Sequence, residues 1–299
     1  MIEKPTIIVT SLGRTGTRFF ANLFAGILPD STSLHEPDVL GFFPYSGRKR
    51  WDEFTRGLRI SGVYNMTIGK LRGAWSLVQV SDARVQGEIS EAEAVRRVRE
   101  QRHSFVHKQP GCLYVESSLG FYGLIDILPK VFKNHRAVYI VRDGRDWIRS
   151  KLAWGEMYNI GTWRRALGDH VWPSADRFED DPFRKDWARM SRFERLCWAW
   201  WRLNEYALNT LCANPNARLF RFEDLFDPET RTDKLEEMLE FCAEVSPKVD
   251  LVTDGIEQFF QRKVHASNGS VPAWDEWAAP QREQFETLCG PLMAELNYQ

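Results

Sequence analysis

Six consecutive residues, Gly13-Arg14-Thr15-Gly16-Thr17-Arg18, combine two glycines, two arginines and two hydroxyls. That mixture suits an anion. Glycine lets the backbone approach a phosphate, arginine supplies fixed positive charge, and threonine adds hydroxyl donors. The flanking residues say how the group is held. Thr6 to Thr10 is a β-branched run that reads as a buried strand. Beyond the loop, Phe19, Phe20, Leu23, Phe24, Ile27 and Leu28 fall on one helical face, and Pro29-Asp30 ends the run. A strand, a glycine loop and a helix N-terminus form a phosphate cradle. The loop is not a Walker A sequence, which needs Gly-Lys-Ser/Thr and a magnesium-binding hydroxyl. It has no lysine, and Arg18 stands where that hydroxyl belongs.

A second candidate anion site follows the clearest strand in the chain, Ala137 to Val141. Arg142 is placed at the strand end and Ser150 about two turns into the next helix, so both can grip one phosphate. Arg145 and Arg149 add to the positive field, and Asp143 or Asp146 offers Arg142 a purely structural partner. In a parallel sheet, ligands sit outside the carboxyl ends of the strands. That rule brings the two sites together.

The wider chain fits this picture. Its 299 residues are 43% hydrophobic and 27% charged with a net charge of −1, so an anion site has to be built locally. No nucleic-acid partner and no membrane span is expected, and Met1-Ile2-Glu3-Lys4-Pro5 lacks a secretory pattern. The cysteines at 112, 197, 212, 242 and 289 are scattered and odd in number, which reads as reduced core thiols and a cytoplasmic location. His103 and His107 have a helical metal spacing, but no glutamate lies between them and no metal is expected.

Strands are predicted at Thr6–Thr10, 113–116, 137–141 and 218–222. Helices are predicted after the loop, over 91–102, 121–132, from Trp147, over 187–211, 234–243 and 281–296. Residues 31–38 read as a polar segment folding back over the loop. This alternation predicts a three-layer α/β fold, a central parallel sheet flanked by helices and P-loop NTPase-like. One domain spans 1–299, with irregular insertions at about 40–110 and 155–186 that shape an acceptor pocket.

Taken in order, the motifs resemble sulfotransferases that use 3′-phosphoadenosine 5′-phosphosulfate. Gly13-Arg14-Thr15-Gly16-Thr17 looks like their 5′-phosphosulfate loop. Val141-Arg142-Asp143-Gly144-Arg145-Asp146 through Ser150 looks like their 3′-phosphate motif. Arg221-Phe222-Glu223-Asp224-Leu225 is similar to their "YEDL" stretch, and Gln261-Arg262-Lys263-Val264 with Trp274-Asp275-Glu276-Trp277 fits their ending. The chain resembles bacterial and tyrosylprotein-type members more than the steroid and phenol enzymes. Arg14 replaces the lysine of cytosolic members, and His265-Ala266-Ser267-Asn268-Gly269 stands in place of their Gly-Asp-Trp tail.

The resemblance implies that Arg14, Thr15, Gly16, Thr17 and Arg18 hold the 5′-phosphosulfate, with Arg14 stabilising the leaving phosphate, and that Arg142 and Ser150 hold the 3′-phosphate. Tyr206 is the expected adenine contact, and Arg262 and Lys263 the residues closing over the nucleotide. The acceptor must also lose a proton. Glu36, 22 residues after Arg14, is the expected general base, with His35, His107 and Glu116 as rivals. The acceptor is a small molecule or a saccharide, bearing a hydroxyl or an amine. The competing reading is a P-loop nucleotide-binding or kinase-like protein, or a non-catalytic relative.

Overall fold

The computed structural model describes residues 1–38, 76–154, 157–158, 172–252, 255–261 and 271–298. Among them are five strands: β1 (Thr6–Thr10), β2 (Ser31–His35), β3 (Leu113–Ser117), β4 (His135–Val141) and β5 (Ala217–Arg221). They form one sheet in the order β2-β3-β1-β4-β5, and every pairing is parallel. The described helices are α1 (Thr17–Ile27), α2 (Leu77–Val85), α3 (Glu91–Lys108), α4 (Leu128–Val131), α5 (Gly144–Trp154), α6 (Arg192–Cys212), α7 (Phe222–Phe226), α8 (Arg231–Ala243), α9 (Glu257–Gln261) and α10 (Ala279–Glu295).

The two-residue period of the central strands assigns their side chains to opposite layers. Ile7 and Val9 of β1 and Val138 and Ile140 of β4 pack under Phe20, Leu23, Phe24 and Ile27 of α1. Ile8 of β1 faces the other way, into a cluster with Leu77, Val80, Val98, Tyr114 and Phe121. Tyr139 and Val141 share that second face with Trp147, Trp198, Trp200 and Phe285. Both faces are covered, so β1 and most of β4 are runs of apolar residues, as the centre of a parallel sheet requires. Each fully buried Leu, Ile or Phe contributes roughly 1.5–3 kcal/mol.

The fold class matches the sequence expectation, with corrections in detail. Residues 31–35 are a strand, not a polar cover for the loop. Ser-Thr-Ser-Leu-His carries no apolar alternation because β2 lies at the sheet edge and is only half-buried. Residues 121–132 form two 3₁₀ turns and the short α4 instead of one helix. Helix α6 starts at Arg192, five residues later than expected, because Ser191 and Glu194 form a reciprocal capping box there. Phe222 opens α7 and does not close β5.

The chain leaves β1 toward the β2 side of the sheet, and leaves β4 toward β5. The crevice between the carboxyl ends of β1 and β4 is therefore the topological switch point. The glycine loop and Arg142 both open onto it.

Candidate active site

After β1 the backbone turns sharply. Gly13, Arg14 and Gly16 have φ values of 76°, 60° and 76°. Left-handed geometry suits the glycines, but a non-glycine there costs about 1–2 kcal/mol. Buried Ser11 braces the turn, its Oγ accepting the Gly13 N–H at 3.0 Å and the Thr15 hydroxyl at 2.5 Å. Gly16 is the N-cap of α1 and supplies no side-chain cap. The first-turn N–H groups of an 11-residue helix consequently point toward the crevice without a capping side chain. Thr17, expected to face a phosphate, shares a 3.0 Å hydrogen bond with His35 Nε2.

The second site docks onto this loop. Arg142 Nη1 donates to the Arg14 carbonyl at 2.8 Å, and its guanidinium lies 4.6 Å from the Phe222 ring centroid. Its Nε–H is buried and has no hydrogen-bond partner among the described residues. Buried Ser150, on α5, accepts a 2.8 Å hydrogen bond from Arg14 Nε. Arg142 and Ser150 are thus brought together through Arg14, so that one arginine touches both expected phosphate sites. Trp147 Nε1–H donates to the Gly13 carbonyl at 3.0 Å, and Trp200 Nε1–H donates to the Arg142 carbonyl at 2.9 Å. Two indoles from different helices fix the two loop backbones.

The wider positive field is weaker than expected. Arg145 folds back onto Asp143 at 2.5 Å, and Arg149 Nε donates to the Val271 carbonyl at 3.0 Å. Arg142 keeps only a long 3.8 Å approach to Asp146. Glu223 performs a task that no spacing revealed. Its two oxygens accept the Asp143 N–H at 3.0 Å and the Tyr298 hydroxyl at 2.7 Å, tying the end of β4 to the C-terminal segment.

The four candidate bases separate cleanly. Glu36 follows β2 with φ 41°, its N–H donating to the Ser117 carbonyl at 3.1 Å. The turn breaks the strand alternation, so His35 and Glu36 both lie on the loop side. Desolvation pushes the Glu36 carboxyl up to about 7 and neighbouring Asp38 pushes the same way, while Lys151, Arg18 and a backbone hydrogen bond at Leu119 hold it down. Glu116 is fully buried and committed elsewhere: Arg102 donates to both its oxygens at 2.9 and 2.7 Å, and the Tyr114 hydroxyl donates at 2.6 Å. His107 is exposed at the end of α3, close enough to Glu3 to act on its charge and so at the amino-terminal edge of the sheet. It stacks edge-on against His103 at 4.8 Å. Neither residue reaches the crevice. Among the described residues, no group of three or more His, Cys, Asp or Glu could hold a metal.

Tyr206, the expected adenine contact, is brought within electrostatic reach of Arg84 and Asp126. Arg18 is exposed at the start of α1. Arg262 and Lys263 lie outside the described residues, as do 39–75 and 159–171 within the expected acceptor walls. One cation escaped the sequence reading. Lys151, directly after Ser150, is 3% exposed and lies over the rings of Trp147 and Trp172 at 5.2 and 5.3 Å. Nothing in its sequence context marks it off from a surface lysine of α5.

No helix among the described residues is long and apolar enough to cross a membrane. The five cysteines are free thiols, but only Cys197, Cys242 and Cys289 are core residues as expected; Cys112 and Cys212 are exposed. No protein-family model and no curated protein sequence matches the chain. Among solved structures it is similar to the sulfotransferase domain from the curacin biosynthetic pathway, at 15% identity and a TM-score of 0.45 over 100% of this chain and 99% of that one. It is similar to a sulfotransferase from Alicyclobacillus acidocaldarius at 12% identity and a TM-score of 0.42, covering 100% and 98%. It is also similar to retinol dehydratase in complex with androsterone and the inactive cofactor PAP, at 14% identity and a TM-score of 0.38, covering 98% and 82%.

Proposed function

We infer that this chain transfers a sulfuryl group from 3′-phosphoadenosine 5′-phosphosulfate (PAPS) to a hydroxyl or amine of a small molecule or saccharide. The observation that carries this reading is the junction of the two anion motifs at Arg14. Its side chain donates to Ser150 Oγ at 2.8 Å while its carbonyl accepts from Arg142 at 2.8 Å. A donor with phosphate groups at both ends of one nucleoside needs two anion sites at a fixed separation, and a nucleoside triphosphate does not. The absence of a Walker lysine and hydroxyl weighs the same way.

The donor supplies an activated sulfuryl group on a phosphate leaving group. By analogy with phosphoryl transfer, positioning and charge do most of the work in a loose, in-line transition state. The first-turn N–H groups of α1, Thr17 and Arg14 hold the 5′ end, and Arg14 balances the charge that grows on the departing phosphate. Arg142, whose buried Nε–H has no hydrogen-bond partner among the described residues, and Ser150 hold the 3′-phosphate. Glu36 takes the acceptor proton. A base with a pKa of about 7 is matched to that task near neutral pH. His35 holds Thr17 in place.

The test is thermal shift with 3′-phosphoadenosine 5′-phosphate (PAP) against ATP with magnesium. The expected result is stabilisation by PAP alone. Equal or greater stabilisation by ATP-magnesium removes the donor assignment and favours a nucleotide-binding or kinase-like protein.

A further inference from the structure

The loop carries no lysine, yet an ammonium group reaches it from another element. Lys151 stands on α5 one residue after Ser150, and it is buried. A Cβ placed on Gly13 would lie 3.6 Å from Lys151 Nζ, so the ammonium sits at the first glycine of the loop. Trp147 and Trp172 hold it from their faces at 5.2 and 5.3 Å, and Trp147 is itself pinned to the Gly13 carbonyl. The faces of both indoles attract an ammonium placed there. Leu119 packs near the same Gly13 position, and Glu36 takes a backbone hydrogen bond at Leu119. Lys151 is therefore near both the first glycine of the loop and the Glu36 carboxyl.

We propose that Lys151 is a catalytic residue whose ammonium binds the sulfonate oxygens of the donor, doing from α5 what a loop lysine would do. The inference rests on the sulfotransferase reading above. In the step it serves, the S–O bond to the donor phosphate breaks with its electron pair passing to that phosphate. The acceptor oxygen or nitrogen forms the new bond to sulfur, and its proton passes to Glu36. Lys151 stays protonated throughout. Two further features fit this role. Arg14 is already engaged with Ser150, which draws its guanidinium toward the phosphates and away from the sulfonate. Lys151 also acts on the Glu36 carboxyl and favours its ionised form, so one cation serves both the moving group and the base.

PAPS and PAP differ by the sulfonate alone, so their affinities isolate this contact without a known acceptor. Lys151→Met keeps the chain length and an apolar, polarisable tip between the two indoles. By calorimetry, Lys151→Met should weaken PAPS binding about tenfold to a hundredfold, the scale of one charge-assisted contact, while PAP binding stays within about threefold. Lys151→Arg should restore part of the difference. Once an acceptor is found, the acidic limb of the kcat/KM profile should move to higher pH in Lys151→Met, because the cation that favours ionised Glu36 is gone. The split between PAPS and PAP is the readout that a merely structural lysine would not move. Equal losses for PAPS and PAP, or no loss for either, overturn the proposal; Lys151→Gln repeats the comparison should the methionine variant fail to fold. Wild-type protein that binds neither ligand removes the donor reading itself, and this inference falls with it.

Discussion

Glu36 adopts a backbone angle few glutamates adopt, and its surroundings pull its charge both ways. Burial and Asp38 favour the protonated form; Lys151 and Arg18 favour the carboxylate, and the balance is about 7. A base must be ionised to act, so the rate should rise through pH 7 and level off above it. Glu36→Gln should lower single-turnover sulfuryl transfer by roughly 10²–10⁴-fold, with PAP affinity nearly unchanged. The same shift has a consequence for stability. The folded pKa lies above the unfolded value of 4.5, so the native state binds more protons than the unfolded chain between pH 4.5 and 7, and stability falls as pH rises through that window. Glutamine has no such proton. Glu36→Gln should therefore melt higher than wild type at pH 8, with the advantage shrinking toward pH 4.5. Collapse of turnover in His35→Ala, with normal turnover in Glu36→Gln, would move the base to His35. Two of the rivals were indistinguishable from Glu36 on sequence because a residue type at a plausible distance says nothing about direction. His107 lies at the other end of the strands, near Glu3, and Glu116 is paired with Arg102 through both oxygens, so the structure favours neither as the base.

At the scale of the element, the glycine loop is a local device and was readable locally. Gly16 needs its glycine for two reasons, φ 76° and a ring atom of Phe226 that would lie 3.1 Å from an added Cβ. Gly87 offers a control, since its φ of 72° is similar but nothing lies within 4 Å of an added Cβ. Gly87→Ala should cost only the left-handed strain, about 1 kcal/mol in urea unfolding. Gly16→Ala should cost more, about 2 kcal/mol or above, and should also weaken PAP binding by displacing the start of α1. A Gly16→Ala variant that binds PAP like wild type would show that the loop backbone is not the cradle. Other elements were less legible. Edge strand β2 is made of polar residues, so it escaped notice, although it carries His35 and delivers Glu36. The start of α6 depended on the reciprocal cap between Ser191 and Glu194, which overrode the apolar residues upstream.

Across the whole molecule, a buried ion cluster links the surroundings of Glu36 to the second layer of helices. Arg102 of α3 bonds Glu116 of β3 at 2.7 Å and Asp38 at 3.2 Å, and Asp38 in turn accepts the N–H of Leu77, the first residue of α2. Removing the cation strands two buried carboxylates. Arg102→Met should therefore lose about 3–5 kcal/mol of stability near pH 8. The loss should be smaller at pH 5, where burial, which already raises the Glu116 pKa, lets the stranded Glu116 take up a proton. Urea unfolding at the two pH values measures this, and a pH-independent difference would show that the cluster is not ionised in the native protein. Because Asp38 acts on the Glu36 carboxyl, the cluster also couples the packing of α2 and α3 to the charge of Glu36.

The sequence by itself determined what depends on contiguous residues. The β-branched run of β1, the glycines at 13 and 16, the apolar face of α1 and the Arg142-to-Ser150 spacing are all local. Backbone sterics, helical period and strand period act over a few residues and leave their mark in order along the chain. Tertiary structure alone decided what depends on separate segments meeting. It joined Arg14 to Ser150 and Arg142 across more than a hundred positions, withdrew Arg145 and Arg149 from the crevice, set Tyr206 against Arg84 and brought Lys151 to Gly13. The physical reason is that a long charged side chain has many directions of similar energy in an isolated segment. Only the neighbours that arrive when the sheet closes, two tryptophans for Lys151 and a loop carbonyl for Arg142, select one of them.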